Sequence, residues 1–337
     1  MKSKRVLMGL AALLIFLFHF YIPLSSEGNI FAFAYLGVDI FFFVSAYSLG
    51  KKEDIKFVPF IKNRLLSVYI PFVIFALISF FYKGWKIEKL LKVLCGLDFF
   101  EKSGGAFLWY LIAIMFLYLL VPFFSWLKGK IKSLAFLILN LFWITTAFVL
   151  EYAFNFTNIN ILILRLPVFF IGFFYDEIKS LLKIKSVDQM NVKQKVISAF
   201  IDLCIVAVGI ILILCFGTKI KLNKPVTELY YIFAVPAVIG LYELFTLACL
   251  NWKFIVLEFL GKLTLEVYAF QMMFGYNVES FLLKNLKNLI QINPLRKIIA
   301  FLVTLLFIVL IAFIFNFLYN CLKSMFMKTN KQKEVKL

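Results

Sequence analysis

Ten stretches of about 20 mostly apolar residues, each long enough to cross a hydrocarbon layer as a helix, run through this chain. They lie at roughly 6–24, 30–50, 66–82, 106–126, 132–150, 159–176, 197–216, 228–249, 262–282 and 298–320. The stretch at 66–82 is the shortest, and 253–260 reads as an interfacial piece or as the start of the next span. Continuous apolar runs point to helices, because the strands of a membrane barrel alternate apolar and polar positions. Composition closes the argument: 64% of residues are hydrophobic, 16% are charged and 44 are Phe. That polar inventory is too small to cover a water-soluble globule. The predicted fold class is all-α, a polytopic integral membrane protein of about 10 transmembrane helices. It forms one unit over 1–325, with a basic cytoplasmic tail at 326–337.

The 36 Lys and Arg against 18 Asp and Glu leave a formal charge of +18. On a soluble chain this would suggest a nucleic-acid surface; on a chain of spans it reads as topology, and no nucleic-acid partner is expected. With the N-terminus inside, 23 basic residues fall on the cytoplasmic side and 12 outside, Arg165 lying within a span. The bias predicts both termini inside, although the 83–105 connection is itself basic. Within it, 83–104 spaces its apolar residues helically with Lys between, predicting an amphipathic helix on the outer surface, or a lid over a site. The first span is too long, and lacks a small-x-small site, for a cleaved signal peptide. Cys95, Cys204, Cys215, Cys249 and Cys321 show no metal-ligand spacing, so they are expected as small buried hydrophobes with no metal centre.

Ionisable residues inside spans are costly and are functional candidates by default. They are His19, the only histidine, with Asp39, Arg165, Asp202, Glu243 and Glu266. Asp202, Glu243 and Glu266 fit structural roles near the inner interface or between helices. His19 can take a proton from a hydroxyl near neutral pH. A carboxylate on the next span, Asp39, would fix its tautomer. Counted from the outer span ends, the two lie about 7 Å and 13 Å deep, which leaves a pairing open.

The order of these residues resembles a known family. An apolar first helix ends FLFHF, followed by GVDIFFFVSAYSLG (37–50) and FIKNRLLSVYIPF (60–72). Further along come LWYLIAIMFLYLLVPFF (108–124), RLPVFFIGFF (165–174) and LGKLTLEVYAFQ (260–271). Together they resemble the acyltransferase-3 family of bacterial membrane acyltransferases, over about residues 5–320. The resemblance implies a multi-pass plasma-membrane enzyme that transfers acetyl from cytosolic acetyl-CoA to a hydroxyl of a surface sugar or polysaccharide. It implies His19 as catalytic base with Asp39. Arg5, Arg64, Ser45 and Lys62 are the expected acyl-CoA contacts, and Trp109, Tyr110, Arg165 and Glu266 the expected acceptor contacts. No permanently bound cofactor is implied, acetyl-CoA being a co-substrate, and other envelope-glycan enzymes are candidate partners. The chain departs from the family pattern at Met8, Ala46, Ser67 and Gln271, where arginine, glycine, arginine and histidine are usual. Two rival readings are a transporter or flippase for a lipid-linked or anionic substrate, and an impaired family member acting as a scaffold.

Overall fold

A computed structural model describes residues 2–20, 32–52, 55–101, 106–153, 157–216, 221–222, 227–228 and 230–334. Fifteen helices follow one another: α1 (Lys2–His19), α2 (Leu36–Gly50), α3 (Phe57–Arg64), α4 (Ile70–Lys83), α5 (Ile87–Leu94), α6 (Trp109–Ile131), α7 (Ser133–Ala153) and α8 (Thr157–Phe173). The chain continues through α9 (Tyr175–Leu181), α10 (Val192–Phe216), α11 (Tyr230–Asn251), α12 (Ile255–Leu260), α13 (Thr264–Phe270), α14 (Tyr276–Asn285) and α15 (Asn293–Glu334). Single π-helical turns, Leu65–Tyr69 and Gln271–Gly275, join α3 to α4 and α13 to α14. The strand content is a two-residue antiparallel ladder, Lys221 opposite Glu228 and Leu222 opposite Thr227.

Where its residues are described, each of the ten apolar stretches is mainly helical. Among the described residues, six helical segments are long and apolar enough to cross a membrane: Phe33–Gly50, Phe57–Lys83, Trp109–Ile131, Val192–Cys215, Phe233–Asn251 and Asn293–Met325. The chain is therefore a helical, multi-pass membrane protein. Leu134, Leu141, Phe200, Leu306 and Leu310 point outward and exposed, as lipid-facing side chains should. The boundary expected at 325 falls inside α15, which runs on to Glu334.

The centre of the bundle is α2. Twelve of its 15 residues are buried, including Phe41, Phe42 and Phe43, because it lies between α1, α8, α11 and α6. A side chain at Gly37 would collide with the Ala11 carbonyl and the Ile15 side chain, so glycine lets the α1 and α2 backbones touch. The same two helices meet again where Lys4 Nζ donates to Ser48 Oγ at 3.1 Å. The pair is thus antiparallel, with Gly37 level with residues 11–15 and Ser48 level with Lys4.

The Lys4 end is closed by a belt of polar contacts centred on the short helix α9. Asp176 accepts from the Tyr47 hydroxyl at 3.2 Å and faces Lys51 at 3.6 Å. Lys179 donates to Glu243 of α11 at 2.9 Å, and the Tyr175 hydroxyl donates to the same oxygen at 2.6 Å. Lys128 of α6 sits 2.7 Å from Glu177 and donates to the Gly50 and Phe173 carbonyls at 2.7 Å and 3.5 Å. One ammonium thereby satisfies the last carbonyls of two helices, which their own ladders leave open.

Over its described residues the 83–104 segment holds the short helix α5 (Ile87–Leu94), one face of which packs on the bundle. Gly84 and Gly96 take left-handed φ values of 60° and 70°, which glycine does without strain, and they fold the chain back against the bundle. The Tyr69 hydroxyl donates to the Leu94 carbonyl at 3.2 Å, and Phe107 N donates to Asp98 Oδ2 at 2.9 Å. The Phe107 ring lies against both Phe72 and Trp85. Leu90, Val93 and Phe99 are buried while Ile87, Leu91, Leu97 and Phe100 stay exposed. The helical periodicity is real, but its apolar stripe packs on α4 and α6.

Lys128→Met removes the carbonyl clamp and strands Glu177. Hydrogen bonds to a charged group contribute about 1.5–3 kcal/mol each, so thermal unfolding of the purified protein in detergent is expected to shift down by several degrees. Lys128→Arg, keeping a donor, is expected to recover most of that shift.

Candidate functional site

The residues singled out in the sequence distribute along one axis of the bundle, from the Lys4 end to His19. At the Lys4 end, α3 carries Arg64, whose guanidinium lies 4.6 Å from the Tyr118 ring centroid and 5.2 Å from that of Phe60. Arg64 Nε is buried without a hydrogen-bond partner. It lines a groove of about 290 Å³ with Lys52, Lys56, Pro59, Phe60 and Asn63. Lys62 lies exposed on the same helix. Arg5 is committed elsewhere, 3.6 Å from Glu258 at the start of α12.

Tyr118, under Arg64, also lines a second cavity of about 110 Å³ deeper in the bundle. Its walls include Met8, Phe41, Ser45, Tyr110, Ile114 and Tyr268. The Tyr110 hydroxyl is hydrogen-bonded to the Ser45 side chain, and its ring packs on Phe41, Phe42 and Tyr268. Ser45 and Tyr110 thus share a wall although 65 positions separate them in the chain. Tyr118 and Tyr268 were not singled out in the sequence; an aromatic inside an apolar run carries no signal that separates a cavity wall from a lipid-facing side chain.

Above the cavity, Arg165 of α8 meets Asp39 of α2. Arg165 Nε is 3.3 Å from Asp39 Oδ1, with side chains 3% and 0% exposed. Arg165 also donates from Nη1 to the Ile161 carbonyl at 3.2 Å and lies 5.4 Å from the Trp109 ring centroid. Burying two charges in a medium this apolar is tolerated when they face each other and their remaining groups are satisfied. Trp109 opens α6 at this level, so three of the predicted residues, Asp39, Arg165 and Trp109, form one cluster.

His19 lies higher, as the last residue of α1, exposed and edge-on to Phe18. The contacts of Gly37 place it level with residues 11–15. His19 is then four to eight residues above that level and Asp39 two residues below it, roughly 9–15 Å apart along the axis at 1.5 Å per residue. Asp39 is therefore partnered by Arg165, and no hydrogen bond or ion pair joins it to His19 among the described residues. The depth comparison made from the sequence assumed that both spans begin in one plane. Residues 21–31, which follow His19, lie outside the described residues.

Gln271 occupies the interval between these levels. It is 2% exposed, and neither amide atom has a partner among the described residues. It begins the π-helical turn, three residues after Tyr268 of the cavity wall and four before Gly275, which abuts the Phe20 ring. π-turns inside α-helices concentrate at functional sites because they re-aim side chains. Glu266, by contrast, accepts from Asn316 Nδ2 at 2.7 Å and ties α13 to α15. Among the described residues no hydrogen bond or ion pair joins it to Trp109, Tyr110 or Arg165.

Removing one member of the buried pair leaves the other charged in an apolar surround, which costs about 3–5 kcal/mol. Asp39→Ala and Arg165→Ala are each expected to lower the midpoint of thermal unfolding strongly. Asp39→Leu with Arg165→Met is expected to be milder than either, and a double-mutant cycle on purified protein measures the coupling.

A family model described as an acyltransferase domain matches residues 6–316. No curated protein and no solved structure matches the chain. The match spans the whole helical bundle, from the first helix with His19 to the long last helix. It covers the Arg64 groove, the cavity and the Asp39–Arg165 cluster alike, and on that evidence the chain belongs to the acyltransferase-3 family.

Proposed function

We propose that this membrane acyltransferase moves an acetyl group from cytosolic acetyl-CoA to a hydroxyl of a cell-surface sugar or polysaccharide, with His19 as general base. The observation that carries the reading is the continuity of the axis: a basic groove at Arg64, an apolar cavity beneath Tyr118, and the single histidine at the far end. About ten spans, with both termini in the cytosol of a plasma-membrane protein, would put the basic groove on the cytosolic side, where the charge bias of the connections also puts it.

In this reading the CoA phosphates meet Arg64, Lys52 and Lys56, with Lys62 on the exposed side of the same helix, while Arg5 is left to its ion pair with Glu258. A guanidinium stacked on Tyr118 and Phe60 is held at a fixed angle with its Nε still free to donate, which suits anion recognition better than a flexible ammonium. The pantetheine arm enters the cavity beside Met8 and Ser45 and presents the thioester upward. His19 removes the proton from the acceptor hydroxyl as its oxygen attacks the thioester carbonyl. The tetrahedral intermediate collapses with cleavage of the carbon–sulfur bond, and the departing thiolate takes the proton back from the imidazolium. Asp39 keeps Arg165 in place over Trp109, so that a positive charge stands on the path of the developing oxyanion and the acceptor. Tyr110 and the Gln271 amide line the same route and can orient the acceptor, which comes from the far side alone or on a lipid carrier.

His19→Ala is expected to abolish acetate incorporation into surface glycan, measured by mass spectrometry of glycan from cells carrying each variant. Retention of full acetylation by that variant overturns the assignment. Arg64→Ala is expected to raise KM for acetyl-CoA by about tenfold or more, the factor that one charge-assisted hydrogen bond supplies, with a smaller change in kcat.

A further inference from the structure

Between α10 and α11 lies a crevice of about 570 Å³ that shares no lining residue with the Arg64 groove or with the cavity under Tyr118. Side chains at Gly209 and Gly240 would collide with Ala237 and with the Asp202 carbonyl and Val206, so the two helices touch backbone to backbone in their middle. Toward the start of α10 and the end of α11 the glycines give way to larger side chains, and a wedge there is lined by Val192, Val196, Ala199, Leu244, Leu247 and Leu250. Ala248, Lys195, Asn251 and Trp252 complete its lining.

We infer that this crevice binds an anionic phospholipid, with one acyl chain in the wedge and the phosphate at Lys195. Three features select that occupant. The floor is apolar and opens through exposed Val192, Val196 and Leu250, so its occupant is a chain rather than a polar solute. The mouth is cationic: Lys193 and Lys253 are exposed beside Lys195 and Asn251, and no carboxylate lines it. The nearest acids on the two helices are engaged elsewhere, Glu243 with Lys179 and Tyr175, and Asp202 with Ser198 at 3.5 Å. Trp252 is exposed just past the end of α11, where an amphipathic ring sits at headgroup level. Asn251, with both a donor and an acceptor, can meet the glycerol esters.

The test uses the full chain in nanodiscs of phosphatidylcholine alone or of phosphatidylcholine with phosphatidylglycerol, read by thermal unfolding and by native mass spectrometry of retained lipid. Phosphatidylglycerol is expected to raise the unfolding midpoint above that in phosphatidylcholine and to be the lipid retained. Lys195→Gln is expected to weaken that retention about fivefold, the factor that one basic side chain contributes at an anionic surface, without changing the midpoint in phosphatidylcholine. Ala248→Trp, which fills the wedge, is expected to remove the retained lipid; if it does not fold, Lys195→Gln decides alone. Equal stabilisation by the two lipids, or full phosphatidylglycerol retention by Lys195→Gln, overturns the inference. So does a photo-crosslinker at Val196 that captures a protein in place of lipid.

Discussion

The Asp39–Arg165 pair is the interaction around which the rest of the bundle is arranged. Neither residue reaches water, and a lone charge at that depth costs several kcal/mol. The constraint therefore fixes α2 and α8 side by side in one register, with Trp109 at the start of α6 against the guanidinium. The same two helices end together at the Lys128 clamp, where one ammonium serves both C-termini. A buried pair at one level and a shared cap at the other leave little freedom to slide. The cavity walls supplied by Phe41 and Ser45 inherit that rigidity.

Much of this was legible before any coordinates. Apolar length alone gave the helical, membrane-embedded class, and scarcity made His19, Asp39 and Arg165 conspicuous, since so few ionisable residues lie inside spans. The motifs GVDIFFFVSAYSLG and FIKNRLLSVYIPF placed Ser45 and Arg64 in a family context. What the sequence could not show was relative depth. Counting residues from span ends cannot reveal that α1 and α2 are offset by the contact of Gly37 with residues 11–15. The His19–Asp39 pairing that the sequence left open is not formed among the described residues, where Asp39 faces Arg165, 126 positions away in the chain. Periodicity identified the 83–104 helix but not which surface its stripe would meet. The two positive-φ glycines decide that, and a glycine's conformation is not written in its neighbours. The π-turns are likewise invisible, because they change the hydrogen-bond register and leave composition unchanged.

The departures from the family pattern take on a physical sense once the axis is described. Gln271 stands where a histidine is usual, and its amide is buried with both atoms unpartnered. An unpaired buried amide costs about 1–3 kcal/mol, a cost that a bound hydroxyl relieves because the amide can both donate and accept. Such a group can orient an acceptor but cannot take its proton. With a second imidazole absent, any proton transfer by a histidine on this axis falls to His19 alone.

Met8 is the complementary case. It lines the 110 Å³ cavity at the position where the family usually carries arginine. An arginine there would bring a charge into a wall of Phe41, Val68, Leu111, Ile114 and Leu265 that also holds hydroxyls, from Ser45, Tyr110, Tyr118, Thr264 and Tyr268, but no carboxylate, and would need a partner of its own. The thioether removes that requirement and leaves the cavity suited to an uncharged, flexible arm. In the proposed reading the cationic work falls to Arg64, Lys52 and Lys56 in the wider groove. Charge recognition and acyl-arm recognition would then be separated, with the Tyr118 ring as the boundary between them. Moving the charge back, by Met8→Arg, would set a second guanidinium against the aromatic wall without a carboxylate to receive it.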